Sequence, residues 1–367
     1  MSRKSNIATI LVFIVTITVL GAAYFLIPDE ELSFSERRKL QQLPEFSLEA
    51  FFSGEYANDA ELYLADQFPW RDEFRTVKAI SHFYIFHQLD CNGIYLTDGS
   101  VCKLEYPLKE DQVLFGAKKI SGIYNQYLKG MNVSYAVVPD KSYYAAQANG
   151  YPFMDYDRLL ELLRENVPKD IDYIDLFPLL ALDSYYSTDS HWIQTSLFPV
   201  AEAVTDSFGV SEQLLPDSEY DKNTLSPFYG VYYGQSALPV SPDELIYLTS
   251  NATEKATVTS AEYLGDKPVY TLDRFGGMDG YDVFMSGAQA ILTVENPEAA
   301  TDRELIIFRD SYASSLTPLL VGTYSKITLV DLRYIYSELL PQYVEFKNQD
   351  VLFMYSTTLL NSSMLLK

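Results

Sequence analysis

The sequence predicts an α/β protein, a parallel sheet sandwiched by helices and preceded by one membrane-spanning helix. Three observations lead there. An uncharged apolar run lies near the N-terminus, strands and helices alternate through most of the chain, and the composition is globular, 48% hydrophobic and 21% charged. At 367 residues the chain suits one large domain or two medium ones.

The apolar run comes first. Residues 7–27 carry no charge and are dominated by Ile, Leu, Val, Phe and Ala. A helix rising ~1.5 Å per residue needs about 20 residues to cross the hydrocarbon core. Arg3 and Lys4 precede the run, and Asp29, Glu30 and Glu31 follow it. The positive-inside tendency therefore keeps residues 1–6 in the cytoplasm, makes 7–27 a signal anchor and places the rest outside the cell membrane. A cleaved signal peptide is the other reading, since Gly21-Ala22-Ala23 offers small residues to a peptidase. The anchor is favoured because the run continues through Tyr24, Phe25, Leu26 and Ile27.

Residues 28–45 read as a stalk, and 46–367 as the extracytoplasmic domain. Residues 46–87 are aromatic and helical in pattern, with His82 and His87 in structural positions. Val113, Ala117, Ile120, Tyr124 and Tyr127 recur at helical spacing. Residues 133–138 form an apolar, β-branched strand stopped by Pro139-Asp140-Lys141. A Leu-rich helix at 159–163, a strand at 171–174 and a helix at 193–208 continue the alternation. Residues 210–295, rich in Gly, Pro, Thr and Tyr, read as a β-rich insertion. Strands at 305–308, 327–330 and 351–355, with a helix at 314–323, then complete a parallel sheet whose active site belongs at its carboxyl strand ends.

Charge and cysteine content exclude several functions. A net charge of −23 argues against nucleic acid and against polybasic membrane-surface binding. Three histidines and two cysteines cannot assemble a Cys/His zinc site of the usual ligand count, and no metal or cofactor is expected. Neither phosphate-binding Gly-rich motif is present. Cys91 and Cys102 flank the turn signals Asn92-Gly93 and Asp98-Gly99, so they form either a hairpin disulfide or two buried free thiols.

Two segments lie where chemistry is expected. Ser311, in Arg309-Asp310-Ser311-Tyr312, follows a strand and opens a helix, whose N-terminal dipole favours a developing oxyanion. A serine nucleophile needs a base, and the base needs an orienting carboxylate. Asp189-Ser190-His191 supplies both from one loop, because residues two apart in an extended segment face the same way. By itself Asp-x-His is common, and Asp189 equally suits a helix cap.

The stretch from Tyr186 to Trp192, with Arg309-Asp310-Ser311-Tyr312 and Asp331-Leu332-Arg333-Tyr334, resembles the DHHW family of bacterial cell-surface proteins. That family is similar to the alginate O-acetylation proteins AlgX and AlgJ. Ser35-Glu36-Arg37-Arg38, Asp66-Gln67-Phe68-Pro69-Trp70-Arg71, Asn92-Gly93-Ile94-Tyr95, Val138-Pro139-Asp140-Lys141 and Asp282-Val283-Phe284 add to the resemblance. It implies an SGNH-hydrolase-like (flavodoxin-like) domain with Ser311 as nucleophile, His191 as general base and Asp189 as orienter. It further implies O-acetyl transfer to, or removal from, a cell-surface polysaccharide, with a membrane-bound O-acyltransferase as donor partner. The family's histidine is replaced here by Ser190, and its Gly-Gly-Asn run falls in Ser286-Gly287-Ala288-Gln289, with Ala288 in place of the amide. Gly287, Gln289, Arg309, Tyr312 and Trp192 are the oxyanion or substrate candidates. Ala288 lacks the amide donor, a loss that costs about 10²-fold or more in rate. The alternative function is therefore a catalytically inactive envelope protein that binds glycan or an assembly partner.

Overall fold

The alternating apolar segments build a single eight-stranded sheet in the computed structural model, which describes residues 3–367. Met1 and Ser2, the start of the expected cytoplasmic tail, lie outside the described residues. Two compact units form. One runs from the N-terminal helix to Cys91 and includes Gly234–Pro239; the other comprises Asn92–Tyr233 and Val240–Lys367. Residues 46–91, expected at the start of the large domain, fall in the first unit.

In the first unit, α1 (Arg3–Leu26) is one continuous apolar helix. It is long and apolar enough to cross a membrane. Two short strands, β1 (Leu32–Ser33) and β2 (Arg38–Lys39), pair antiparallel. They lead to α2 (Leu48–Ser53), α3 (Glu55–Asp66) and α4 (Arg71–Ile80). Ser47 caps α2 by accepting from Ala50 N–H, and Gly54 ends it in the left-handed conformation.

The second unit opens with the hairpin β3 (Ile94–Thr97) and β4 (Ser100–Lys103). Its register sets Tyr95, not a cysteine, opposite Cys102. Cys91 and Cys102 are each buried with a free thiol. Next come α5 (Glu110–Ile123), β5 (Asn132–Val138), α6 (Lys141–Ala145), α7 (Tyr156–Asn166), β6 (Asp172–Ile174) and α8 (Phe198–Ser207). The stretch 210–295 divides. Strands β7 (Asp221–Phe228) and β8 (Asp243–Thr249) make a separate antiparallel pair. Helices α9 (Val231–Ser236) and α10 (Asn251–Lys255) flank β8, and β9 (Thr257–Ser260), β10 (Tyr263–Pro268) and β11 (Ile291–Glu295) extend the central sheet. The chain closes with β12 (Glu304–Arg309), α11 (Ala313–Leu320), β13 (Lys326–Val330), β14 (Asp350–Ser356) and α12 (Thr357–Leu360).

The sheet order is β10-β9-β11-β13-β12-β14-β5-β6. From β13 to β6 every pairing is parallel, as expected; β11, β9 and β10 run antiparallel at the other end. The parallel strands are near-continuous apolar runs because both faces are covered. Alternate residues serve opposite cores: Val138, Leu305, Ile307 and Leu352 pack with α8 and α11, whereas Val137, Ile306, Phe308 and Phe353 pack with α5 and α7. Phe308 and Phe353 stack at 4.6 Å, and truncating either costs about 3–5 kcal/mol. This double cover fixes the carboxyl ends of β5, β12 and β14 side by side.

Candidate active site

Asp310 stitches two of those strand ends together. Its Oδ1 accepts from Tyr312 N–H at 3.1 Å and its Oδ2 from Ser356 N–H, at the end of β14, at 2.8 Å. Asp140, after β5, does the same on the next strand, accepting from Ser142 N–H and from the hydroxyls of Tyr156 and Thr357. Burial pushes the Asp140 carboxyl above its usual range. Between the end of β12 and α11, the chain presents Ser311 at the helix N-terminus.

The Ser311 hydroxyl lies 2.7 Å from His191 Nε2. His191 Nδ1 lies 2.6 Å from Asp189 Oδ1, which also accepts from His191 N–H at 2.9 Å. Asp189 Oδ2 accepts from Val231 N–H at 2.7 Å. Asp189 is fully buried, and His191 is 7% exposed. A carboxylate offers only acceptors, so the imidazole proton sits at Nδ1 and Nε2 is left to accept from the serine. The segments around Asp189 and Ser311 therefore meet in one hydrogen-bonded relay, although 120 residues separate the serine from the histidine.

The loop carrying Asp189 and His191 is held from several sides. Tyr185 and Trp192 pair across it as an isolated bridge, with Tyr186 N–H donating to His191 O. Asp243 accepts from Ser187 N–H, Thr188 N–H and the Thr188 hydroxyl. Lys141 is buried, and its ammonium donates to the carbonyls of Val101, Tyr186 and Ser187 at 2.7–2.9 Å and of Asp189 at 3.3 Å. Burial pushes this ammonium's pKa down, while the carbonyls satisfy its protons. Gly230 passes so close that a Cβ there would sit 2.3 Å from Thr188 O. The Tyr281 ring stacks flat on the imidazole at 3.8 Å, and its hydroxyl donates to Ser315 at 2.6 Å. Sequence reasoning missed Asp243 and Val231, which lie far from the quoted motifs in the chain, and Tyr281, which directly precedes Asp282-Val283-Phe284. Lys141 and Asp310 stood within quoted motifs without a role.

The remaining candidates are placed as follows. Trp192 is buried, its indole N–H shared between Tyr312 O and Ser315 Oγ. Tyr312 is buried and donates its hydroxyl to Ser190 O, tying α11 to the histidine loop. Arg309 is fully buried, with Nη1 donating to Ser314 Oγ and with Nε and Nη2 lacking a protein partner. Met285, Ser286 and Gly287 all adopt positive φ, and Gly287 N–H donates to Phe284 O. A Cβ on Gly287 would lie 2.6 Å from Asp282 Oδ1, so this bend requires glycine. Gln289 is buried with its amide oxygen unpartnered. Among the described residues, no group of three His, Cys, Asp or Glu side chains is placed to hold a metal.

No family model matches the sequence, and no curated protein matches it. Solved structures do. A DHHW family protein from Eubacterium siraeum DSM 15702 aligns with a TM-score of 0.62 at 21% identity, covering 76% of this chain and 97% of its own. The chain is similar in fold to a DHHW family protein. Bacillus cereus PatB1 aligns with a TM-score of 0.59 at 17% identity, covering 74% of this chain and 98% of its own, and was also solved with a sulfonyl adduct. The O-acetyltransferase domain of Pseudomonas putida AlgJ matches more distantly, with a TM-score of 0.42 at 12% identity over 73% of this chain and 92% of its own. The mixed sheet with helices on both faces is the α/β fold that the chain shares with the DHHW family protein and PatB1 structures.

Proposed function

We propose that this chain is a serine acyl-ester enzyme, an O-acetyltransferase or acetylesterase acting on a cell-surface polysaccharide. The observation that carries the reading is the Ser311–His191–Asp189 relay, with both of its side-chain contacts at 2.6–2.7 Å. In this mechanism, Ser311 Oγ attacks the ester carbonyl as its proton passes to His191 Nε2. The imidazolium is held by Asp189, and the proton then goes to the departing group of the acyl donor, the sugar oxygen in the esterase reaction, as its bond to the acyl carbon breaks. A sugar hydroxyl or water, deprotonated by His191, releases the acetyl group from the serine. Ser311 lies just before α11, whose N-terminal dipole favours a developing oxyanion.

The acetyl and polysaccharide assignment rests on the motif resemblance around these residues. The apolar α1 supports an anchor that holds the domain outside the cell membrane, where a membrane-bound O-acyltransferase would supply acyl groups. A second reading, an inactive protein of the same fold that binds glycan or an assembly partner, is favoured by Ala288 and by the engagement of Gly287 N–H with Phe284 O. One experiment separates them. The full chain is treated with a sulfonyl fluoride and assayed with p-nitrophenyl acetate. The enzyme reading expects a sulfonyl adduct on Ser311 and acetate release, both abolished by Ser311→Ala and His191→Ala. A parent chain as inert as these variants refutes it.

A further inference from the structure

The first unit exposes far more apolar surface than a water-facing segment tolerates. Within residues 46–89 only Pro69 and Ala79 are buried. Phe46, Leu48, Phe51 and Phe52 stand exposed around α2, with Phe52 81% accessible. The rings of Phe46, Phe51 and Phe52 touch one another in series, at 6.0 and 5.5 Å. A second strip runs along α4 and the turn beyond it. Phe74 and Val77, exposed and three apart on α4, share one helical side, and Tyr84 and Ile85 are exposed in the π-helical turn beyond it. Patches of this kind mark a surface that something else covers.

The place of this segment in the unit identifies what covers it. The α3 helix is fastened to the end of the apolar α1. The Tyr63 ring meets Tyr24 edge-on at 6.2 Å, and its hydroxyl donates to the Asp29 carboxylate at 3.0 Å. Gln67 accepts from Glu30 N–H and donates to Glu30 O. The twelve residues of α3 span about 18 Å at ~1.5 Å each and the six of α2 about 9 Å, so α3 lies within about 18 Å and α2 within about 27 Å of the point where α1 ends. Rings at that level match the aromatic belt of membrane-bound chains. Charge narrows the lipid class. Seven carboxylates face only three Arg and Lys residues, Arg71, Arg75 and Lys78, over 46–89. Attraction to anionic headgroups is therefore not the driving force.

We propose that helices α2–α4 lie on the outer surface of the bilayer that α1 crosses, with Phe46, Phe51, Phe52 and Phe74 inserted among the acyl chains of zwitterionic lipids. This rests on the membrane-crossing reading of α1 and is independent of the acyl-ester chemistry. Burial of such faces reaches about 5–10 Å into the headgroup–acyl boundary.

The test uses the full chain in phosphatidylcholine nanodiscs, with bromine on the upper acyl carbons. Phe52→Trp and Phe74→Trp serve as reporters above the emission of Trp70 and Trp192. The expected result is that each reporter loses most of its added emission in brominated discs and keeps it in unbrominated ones. Replacing half the lipid with phosphatidylglycerol should weaken the quenching. Emission indifferent to bromine overturns the proposal and points to a second copy or another protein as the cover. Quenching that needs anionic lipid overturns it too, as does recovery of the chain outside the discs or without α1. Sulfonyl labelling of Ser311 in the same discs reports the acyl-ester reading separately.

Discussion

Replacing Asp189 with asparagine tests the relay with the least change in volume. Both oxygens of Asp189 accept. Oδ1 takes His191 Nδ1 and N–H, and Oδ2 takes Val231 N–H. An asparagine can match only one side. If its NH₂ faces the ring, it donates to Nδ1, the imidazole proton moves to Nε2, and the base can no longer accept from Ser311. If its oxygen faces the ring, NH₂ meets Val231 N–H in a donor–donor contact costing about 1–3 kcal/mol. The first arrangement sets NH₂ against His191 N–H instead, so each orientation carries one donor–donor contact, and the first is the one that inverts the tautomer. In serine proteases, where the equivalent change also inverts the tautomer, kcat falls about 10⁴-fold. That factor corresponds to about 5 kcal/mol of barrier. The expected outcome for Asp189→Asn is thus a loss of about 10³–10⁴-fold in p-nitrophenyl acetate turnover and in sulfonylation of Ser311. Thermal unfolding checks that the fold survives. A folded variant reacting within tenfold of the parent would falsify the role given to Asp189.

Lys141→Met should both destabilise the second unit and slow Ser311 labelling. It leaves the buried carbonyls of Val101 and Tyr186 without this donor, at about 1–3 kcal/mol each, while Ser187 O keeps Val101 N–H, and chemical denaturation with parallel labelling measures both effects. Gly287→Ala forces a methyl against the Asp282 carboxylate at a positive φ. It should cost about 1–3 kcal/mol, visible as a lowered Tm. In the first unit, the hydrogen bond from Arg38 holds the Asp66 carboxyl at about 2, below its unfolded value of 3.8. Its stabilising link is present above about pH 4 and is lost as the pH falls towards about 2, so exchange of Gln41 N–H, which donates to Asp66 Oδ2, should accelerate in that window and Asp66→Asn should abolish the pH dependence. Thiol titration should find two reactive groups per chain after unfolding without reductant and neither in the native state, because Cys91 and Cys102 are buried and unbonded.

Local patterns carried much of this protein. The 7–27 run reads as one helix because no charge interrupts it, and α1 spans Arg3–Leu26. The strands β5, β12, β13 and β14 are legible because a parallel strand buried on both faces is an unbroken apolar run. The helix expected at 193–208 starts later, at Phe198, after a short 3₁₀ turn over Gln194–Ser196. There Gln194 leaves the helical pattern to donate to Ser315 O and to accept from Leu248 N–H. The antiparallel end of the sheet was not legible. Strand direction there depends on partners such as Ile291 opposite Val330, and a two-residue period is identical in either direction.

The candidate site divides in the same way. Asp189 and His191 were readable as a pair because two residues along one strand-like segment share a side. The serine could be named from its strand-to-helix position, and the resemblance joined the two. Only the tertiary structure brings Ser311 to His191, because that contact depends on β12 ending where the Tyr185–Trp192 bridge turns. The same holds for Tyr281 on the imidazole, Val231 on Asp189 and Lys141 beneath the loop. Sequence determines which elements form, since periodicity and propensity act within a few residues. Which side chains then share a proton is decided by packing, where each contact exists only because many distant ones have placed it.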